Sequence, residues 1–319
     1  MDIYGLHPKF KLNRPLTNKE REGHLGQNIR LELTHEEVIP DLTVIQINSH
    51  YLELVDKFYS GRGYMSFLSS FACIALLGIL LSMAISMAIS MAISDSFTSN
   101  QLTGFFLLAF IFSPMIIFMA YLLKTEWFAW THYPIRFDRK NQLVHVHRTD
   151  GSVFTVPWQD IFFTTGLNYQ KSIRNDYYIS GHILADDGIT IIDTFCLPLS
   201  HSKLHAVISH WEFVRRYMEE GPQDLIQQID FCLPIDKRKE SYSFTFFYLM
   251  SLYKGAPILL FPLFIPLAFI FSIPRYIGIL TSRRPVWPES IQAQSPVDKD
   301  DPYRLDATTN PKSLWRTFF

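Results

Sequence analysis

The chain has 319 residues, a formal net charge of -1, and 48% hydrophobic against 18% charged residues, where soluble proteins average about 25% charged. That balance offers no basic field for nucleic acid, and the apolar excess sits in a few charge-free blocks, the mark of a membrane protein rather than of two soluble domains. Cys73, Cys196 and Cys232 cannot all pair within one chain, so no disulfide scaffold is expected.

Residues 1–64 read as a mostly polar N-terminal cytoplasmic segment. His35-Glu36-Glu37 opens like a zinc-protease helix, but Ile39 stands where the second histidine would be needed. Asn48 to Tyr59 has a helical start at Asn48 or Ser49 and apolar Leu52, Val55, Phe58 and Tyr59, which predicts a helix lying along the membrane or, more simply, packed on the β domain. Gly61-Arg62-Gly63 is the joint before the first span.

From Gly63 to Ser94 there are 32 consecutive uncharged residues, whereas about 20 helical residues cross a hydrocarbon core of roughly 30 Å. The span runs from Met65 to about Ile89, extending toward Ser94. It follows a long polar stretch, so it is not a secretory signal. Its last turns repeat SMAI three times, aligning Ser82, Ser86 and Ser90 with Ala84, Ala88 and Ala92 as small-residue rows for close helix packing, within the hairpin or in a homo-oligomer. The second span, Phe105 to Leu123, contains Pro114, whose freed carbonyl Ser113 is placed to satisfy, and ends at Lys124 beside the interfacial trio Trp127, Phe128 and Trp130. The connection from Asp95 to Gln101 has no Lys or Arg, while Lys57, Arg62, Lys124, Arg136, Arg139 and Lys140 flank the pair, so the positive-inside rule makes residues 65–123 a transmembrane hairpin with both ends cytoplasmic.

Between residues 124 and 240 the period changes to two. Ile135 to Phe137, Leu143 to His147 and Val153 to Val156 alternate around turns at Asp138 to Asn141 and Asp150-Gly151; Tyr177 to Leu184 and Ile189 to Cys196 repeat the pattern around Asp186-Asp187-Gly188. A helix from about Ser202 to Glu220 carries Leu204, Val207, Ile208, Trp211, Val214 and Met218 at helical spacing and stops at Gly221-Pro222. Two meanders closed by an amphipathic helix predict a β-rich, pleckstrin-homology-like (PH-like) domain. Residues 241–282 form a third, Pro-rich membrane segment; Lys254 is expected at an interface because a Lys at the bilayer centre costs about 2.5–3.5 kcal/mol. The membrane part is then Gly255 to Pro274, broken or re-entrant, with a cytoplasmic tail at 283–319 in which Trp287 serves as an interfacial anchor and Tyr303, Leu305, Leu314, Trp315, Phe318 and Phe319 dock back on the domain. The fold class is α+β.

The run PIRFDRKNQLVHVHRTDGSVFTVPWQDI, the segment WEFVRRYMEEGP and RRPVWPESI resemble an uncharacterised family of proteobacterial membrane proteins with a PH-like cytoplasmic part, often encoded near type VI secretion genes. The resemblance implies a setting in the bacterial inner membrane, multi-pass, with the main domain cytoplasmic; it supplies no catalytic residues. No G-x-S-x-G elbow, Walker loop or Rossmann pattern occurs. His145, His147, His201, His205 and Cys196 are the metal candidates, but solvent-facing strand and helix-start histidines are the commoner reading, so no metal, cofactor or catalytic residue is assigned. Arg136, Arg139 and Lys140 are candidates for a lipid headgroup or partner contact. That resemblance, with a membrane-embedded body and no reaction motif, leads to the expectation of a non-catalytic binding protein associated with type VI secretion, most concretely an immunity protein against a membrane-acting toxin; the alternatives are an accessory protein for effector loading or stability and a small channel or transporter.

Overall fold

The structure, a computed structural model, describes residues 11–94, 99–168, 176–251, 257–298 and 300–313. In chain order these contain β1 (Arg14–Pro15), α1 (Asn18–Glu22), β2 (His24–Leu25), β3 (Val44–Ile47), β4 (Tyr51–Leu54), α2 (Tyr64–Ser94), α3 (Ser99–Lys124), β5 (Ile135–Asp138), β6 (Leu143–His147), β7 (Val153–Pro157), β8 (Ile161–Asn168), β9 (Asp176–Leu184), β10 (Thr190–His201), α4 (Leu204–Glu219), α5 (Tyr242–Ser251), α6 (Phe261–Thr281) and α7 (Glu289–Gln294). The chain makes two compact units, one of residues 1–60, 130–240 and 284–319, the other of residues 61–129 and 241–283.

The first unit is α+β, with two five-stranded antiparallel sheets ordered β3-β4-β5-β6-β7 and β1-β10-β9-β8-β2. The stretch expected as a helix over Asn48 to Tyr59 is instead a turn and strand. The Asn48 side chain accepts from the His50 and Tyr51 amides at 2.8 and 2.9 Å, so the signal of a helix cap closes the turn between β3 and β4. Strand geometry then puts Leu52 and Leu54 into the core beside Ile135, Phe137, Val144 and Val146. β4 pairs directly with β5 although both apolar helices α2 and α3 are inserted between them.

Trp158 turns the corner from the first sheet to the second. Its indole stacks on Trp211 of α4 at 5.7 Å, and Phe163 of β8 closes the group at 4.5 Å from Trp211. Each such side chain contributes roughly 1.5–3 kcal/mol relative to exposure. β8 was not legible as a strand, and β10 continues to His201, so α4 begins at Leu204 rather than Ser202. α4 packs on β9 and β10 through Val207, Trp211, Val214 and Met218. Its opposite face is also buried: Glu212 binds Arg215 at 2.8 Å and Arg216 at 2.7 Å, all three nearly inaccessible. The tail docks by Leu305 bridging Ile47 in both directions (3.0 and 2.9 Å), by Asp301 accepting from the Ser49 amide at 2.7 Å, and by Asn310 bonding both backbone groups of Cys232. Leu314, Trp315, Phe318 and Phe319 lie outside the described residues.

The second unit contains three helices long and apolar enough to cross a membrane: α2 and α3, whose most apolar stretches hold no fully buried residue, and α6, in which a third of that stretch is buried. This supports reading the chain as a membrane protein. Pro114 is accommodated inside α3, and the Ser113 hydroxyl donates at 3.3 Å to the Phe110 carbonyl that Pro114 leaves free. α6 starts at Phe261 and passes through Pro266 and Pro274 to Thr281, so the apolar segment lies later than Gly255 to Pro274; α5 packs against it. Lys254 lies outside the described residues, as does the connection over residues 95–98.

The ends of this unit's helices meet in a buried polar clasp. Glu126, just after α3, accepts from the Gly63 and Ser66 amides at 3.0 and 2.9 Å and from the Ser66 hydroxyl, capping α2 with a carboxylate from another segment. Arg62 donates to the Glu126 carbonyl at 2.9 Å and to the Ser282 hydroxyl at 2.8 Å, and Arg275 donates to the Arg62 carbonyl at 2.8 Å. Gly63 has φ +96°, and a Cβ there would strike Arg275. Of the expected interfacial trio, Trp127 binds Ser66 at 3.0 Å, Trp130 belongs to the first unit and packs on His147, and Phe128 stays exposed.

Candidate functional site

Register across the first sheet places Gln46, Glu53, Arg136, His145 and Thr155 opposite one another on five successive strands. Because alternate side chains share a face, this is one polar row on the side of the sheet away from the Leu52 and Phe137 core. Hydrogen bonds join its members. Gln46 donates to Glu53 at 3.1 Å, the Arg136 guanidinium meets the same carboxylate oxygen at 3.0 Å, and His145 Nδ1 pairs with the Thr155 hydroxyl at 2.8 Å. Both partners of the ion pair are at most 5% exposed at their side chains.

The segment after Arg284 covers the row. Trp287 is buried, with its ring centre 4.8 Å from the Arg136 guanidinium, and Tyr51 presents its ring on the same cation at 4.1 Å. Trp287 also meets His145 and His147 edge-on at 6.4 and 6.2 Å. It is therefore a cover on the sheet, and its indole is not the interfacial anchor expected from its flanking prolines. Ser295 continues the cover by donating to Asp138.

Between row and cover remains a pocket of about 390 Å³ lined by Tyr51, Glu53, Arg136, Asp236, Lys237, Arg284, Trp287, Arg304 and Asp306, among others. That volume is in the range of small-molecule and side-chain sites. Arg304 pairs with Asp306 at 2.9 Å, and Arg284 donates to the Asp236 carbonyl at 3.1 Å. Burial, with the nearby Glu53 charge adding to it, raises the Asp236 carboxyl above its usual range, and burial pushes Tyr51 up to about 12. Burial alone would also raise Asp138, but hydrogen bonds from His145, Ser295 and Asn141 outweigh it and hold that carboxyl at about 2. Burial keeps His147 below the ordinary imidazole range. The site can hold a polar guest against fixed charges.

The other expected positions fall elsewhere. Arg136 was a candidate for a lipid headgroup, but its charge is already committed to Glu53 and two rings, so it reaches a guest only from the pocket wall. Arg139 is half-buried and Lys140 exposed, in the turn after β5. On α2, Ser82, Ser86, Ala88 and Ala92 are exposed while Ala84 and Ser90 are half-buried; Ser82 donates to the Ile79 carbonyl of its own helix at 2.8 Å. The histidines separate: His145 and His147 lie under Trp287, His201 accepts from the Lys203 amide at 3.0 Å, and His205 is exposed 3.7 Å from Glu37. Cys196 is buried beside Ser180. Among the described residues no three His, Cys, Asp or Glu side chains are placed to hold a metal ion. Glu53, Asp236, Lys237, Arg284, Arg304 and Asp306 carried no local motif; the period-two register of Tyr51 and Glu53 was the signal that could have revealed the floor.

Fold and site together define an α+β protein with three apolar helices and a charged pocket in its β-rich unit. The chain belongs to DUF6708, a family of unknown function, whose model matches residues 112–299. No curated protein and no solved structure matches it.

Proposed function

We propose that this protein is a non-catalytic binding protein of the bacterial inner membrane acting in type VI secretion, most concretely an immunity protein that neutralises a membrane-acting toxin. One observation carries the binding part of the reading. Arg136 is fixed by Glu53 at 3.0 Å and by rings on two sides, an immobilised ion pair in the pocket wall, which suits recognition of a partner more than the proton transfers of catalysis. The two antiparallel sheets with α4 packed on one of them support a PH-like identity for the β-rich unit. The absence of Lys and Arg between Asp95 and Gln101 supports a cytoplasmic placement for it. The secretion setting rests on the likeness of Pro134 to Ile161, Trp211 to Pro222 and Arg283 to Ile291 to proteins encoded beside such genes.

The test is survival of a deletion strain beside wild-type siblings whose type VI apparatus is active or disabled. Death only beside active siblings, reversed by a complementing copy, is the expected result. Survival with loss of the strain's own killing of a competitor would replace immunity by effector loading, and no change in either would remove the secretion reading.

A further inference from the structure

The charges around the pocket do not balance. Arg136 and Arg304 are answered by Glu53 and Asp306, leaving Asp236 against two cations, Lys237 and Arg284. Among the described residues neither of these is held in an ion pair: Lys237 is exposed, and the one hydrogen bond of Arg284 goes to the Asp236 backbone carbonyl. Among the Lys, Arg, Asp and Glu side chains that line the pocket, four cations stand against three carboxylates, an excess of one positive charge. A phosphate group carries about -1.5 to -2 at neutral pH and would overshoot, whereas a carboxylate matches. The planar guanidinium of Arg284 is also the partner a carboxylate pairs with in two-pronged fashion. The rim adds Val286, 63% exposed, and the amide of Gln46, features that meet a peptide's apolar and backbone groups more readily than those of a free ion.

We propose that this pocket receives the carboxylate of an Asp or Glu side chain presented by a protein partner, with Lys237 and Arg284 as the receiving cations. This rests on the reading that the protein works by binding another protein, and it names the chemistry of the contact. Arg284 also ties the covering segment to the Asp236 carbonyl at 3.1 Å, whereas Glu53 and Arg136 are held by each other, so the two cations can be altered without breaking that buried pair.

The experiment uses the full chain in nanodiscs of zwitterionic lipid and three probes: an acetylated, amidated Gly-Gly-Glu-Gly-Gly peptide, its Gln counterpart, and inorganic phosphate. Saturation-transfer NMR titration is expected to show the Glu peptide binding at least tenfold more tightly than the Gln peptide. A Lys237→Gln/Arg284→Gln variant should weaken the Glu peptide at least fivefold while still unfolding in one cooperative transition, lowered by no more than the loss of the Arg284 to Asp236 hydrogen bond. Phosphate at equal concentration should not displace it. Equal binding of the two peptides, binding unchanged in the variant, or displacement by phosphate would each overturn the proposal. Contact killing separates it from the function above: a complementing copy that protects cells while the peptides bind alike sinks the pocket assignment alone, and selective Glu-peptide binding with survival unaffected by deletion sinks immunity alone.

Discussion

Replacing Arg136 by Met tests whether the polar row is an energetic unit. The substitution removes the cation 3.0 Å from Glu53 and leaves a carboxylate with 4% side-chain exposure, and breaking a buried pair from one side costs about 3–5 kcal/mol. Gln46 still donates to Glu53 at 3.1 Å, which favours the lower end, while the two ring contacts add about 0.5–2 kcal/mol. A loss of about 4 kcal/mol lowers the transition of a unit this size by roughly 8–16 °C, measurable by calorimetry of the full chain in nanodiscs. The Glu53→Gln/Arg136→Met variant removes the stranded charge and should recover more than half of the loss, a coupling of about 2–3 kcal/mol. If Arg136→Met shifted the transition by less than 2 °C, or the double variant lost as much as the two single ones combined, the pair would be a surface contact and the account of the site would be wrong.

Burial holds His182 and His210 down to about 4 from the ordinary 6.5, so on acidification the unfolded chain takes up protons first. Stability is therefore expected to be flat above pH 6.5 and lost between 6.5 and 4, on the order of 3 kcal/mol per histidine; His210→Leu should remove about half of that slope, and an unchanged slope would refute the assignment. Asp138, held at about 2, adds a contribution present above about pH 4 and lost between 4 and 2, which Asp138→Asn should abolish in the same titration. Gly166 lies opposite Tyr178 across β8 and β9, and a Cβ there would collide with the ring. Gly166→Ala is expected to cost about 1–3 kcal/mol by overpacking, relieved when Tyr178 is also changed to Leu; equal melting of Gly166→Ala and the parent chain would show the strand to be looser than described.

Much of the β-rich unit was legible because its turns are written in local chemistry. Asp150-Gly151 closes β6 to β7 with Gly151 at φ +90°, and Asp187 accepts from the Ile189 and Thr190 amides before β10. The apolar helices were equally legible, since lipid demands uninterrupted apolar length and nothing else in the chain supplies it. Asn48 misled because an Asx turn and a helix cap use the same side-chain oxygen, and only the distant strand β5 decides between them. Glu212, Arg215 and Arg216 satisfy one another in a buried trio that helical periodicity cannot reveal. The pocket was invisible for a related reason: Glu53, Asp236, Arg284 and Arg304 are brought together by strand pairing and by a returning tail, and no window of sequence contains them.

The insertion of the first two apolar helices between paired strands raises a question of chain entropy that the clasp answers. About 80 residues separate β4 from β5, and closing a free loop of that length costs on the order of 4 kcal/mol in its length-dependent part. Glu126, by binding Gly63 and Ser66, ties the two ends of the insertion together, so only about 16 residues remain to be closed, at roughly 2.5 kcal/mol. The clasp thus contributes up to about 1.4 kcal/mol to β4–β5 pairing without touching either strand, a tenfold change in opening. Glu126→Ala should therefore speed hydrogen exchange at Leu52 and Phe137 by up to about tenfold, together with exchange at Gly63 and Ser66, which lose their acceptor. If the Gly63 and Ser66 amides open while Leu52 and Phe137 keep their full protection, the strands pair independently of the insertion, and the helices' own packing already holds its ends together.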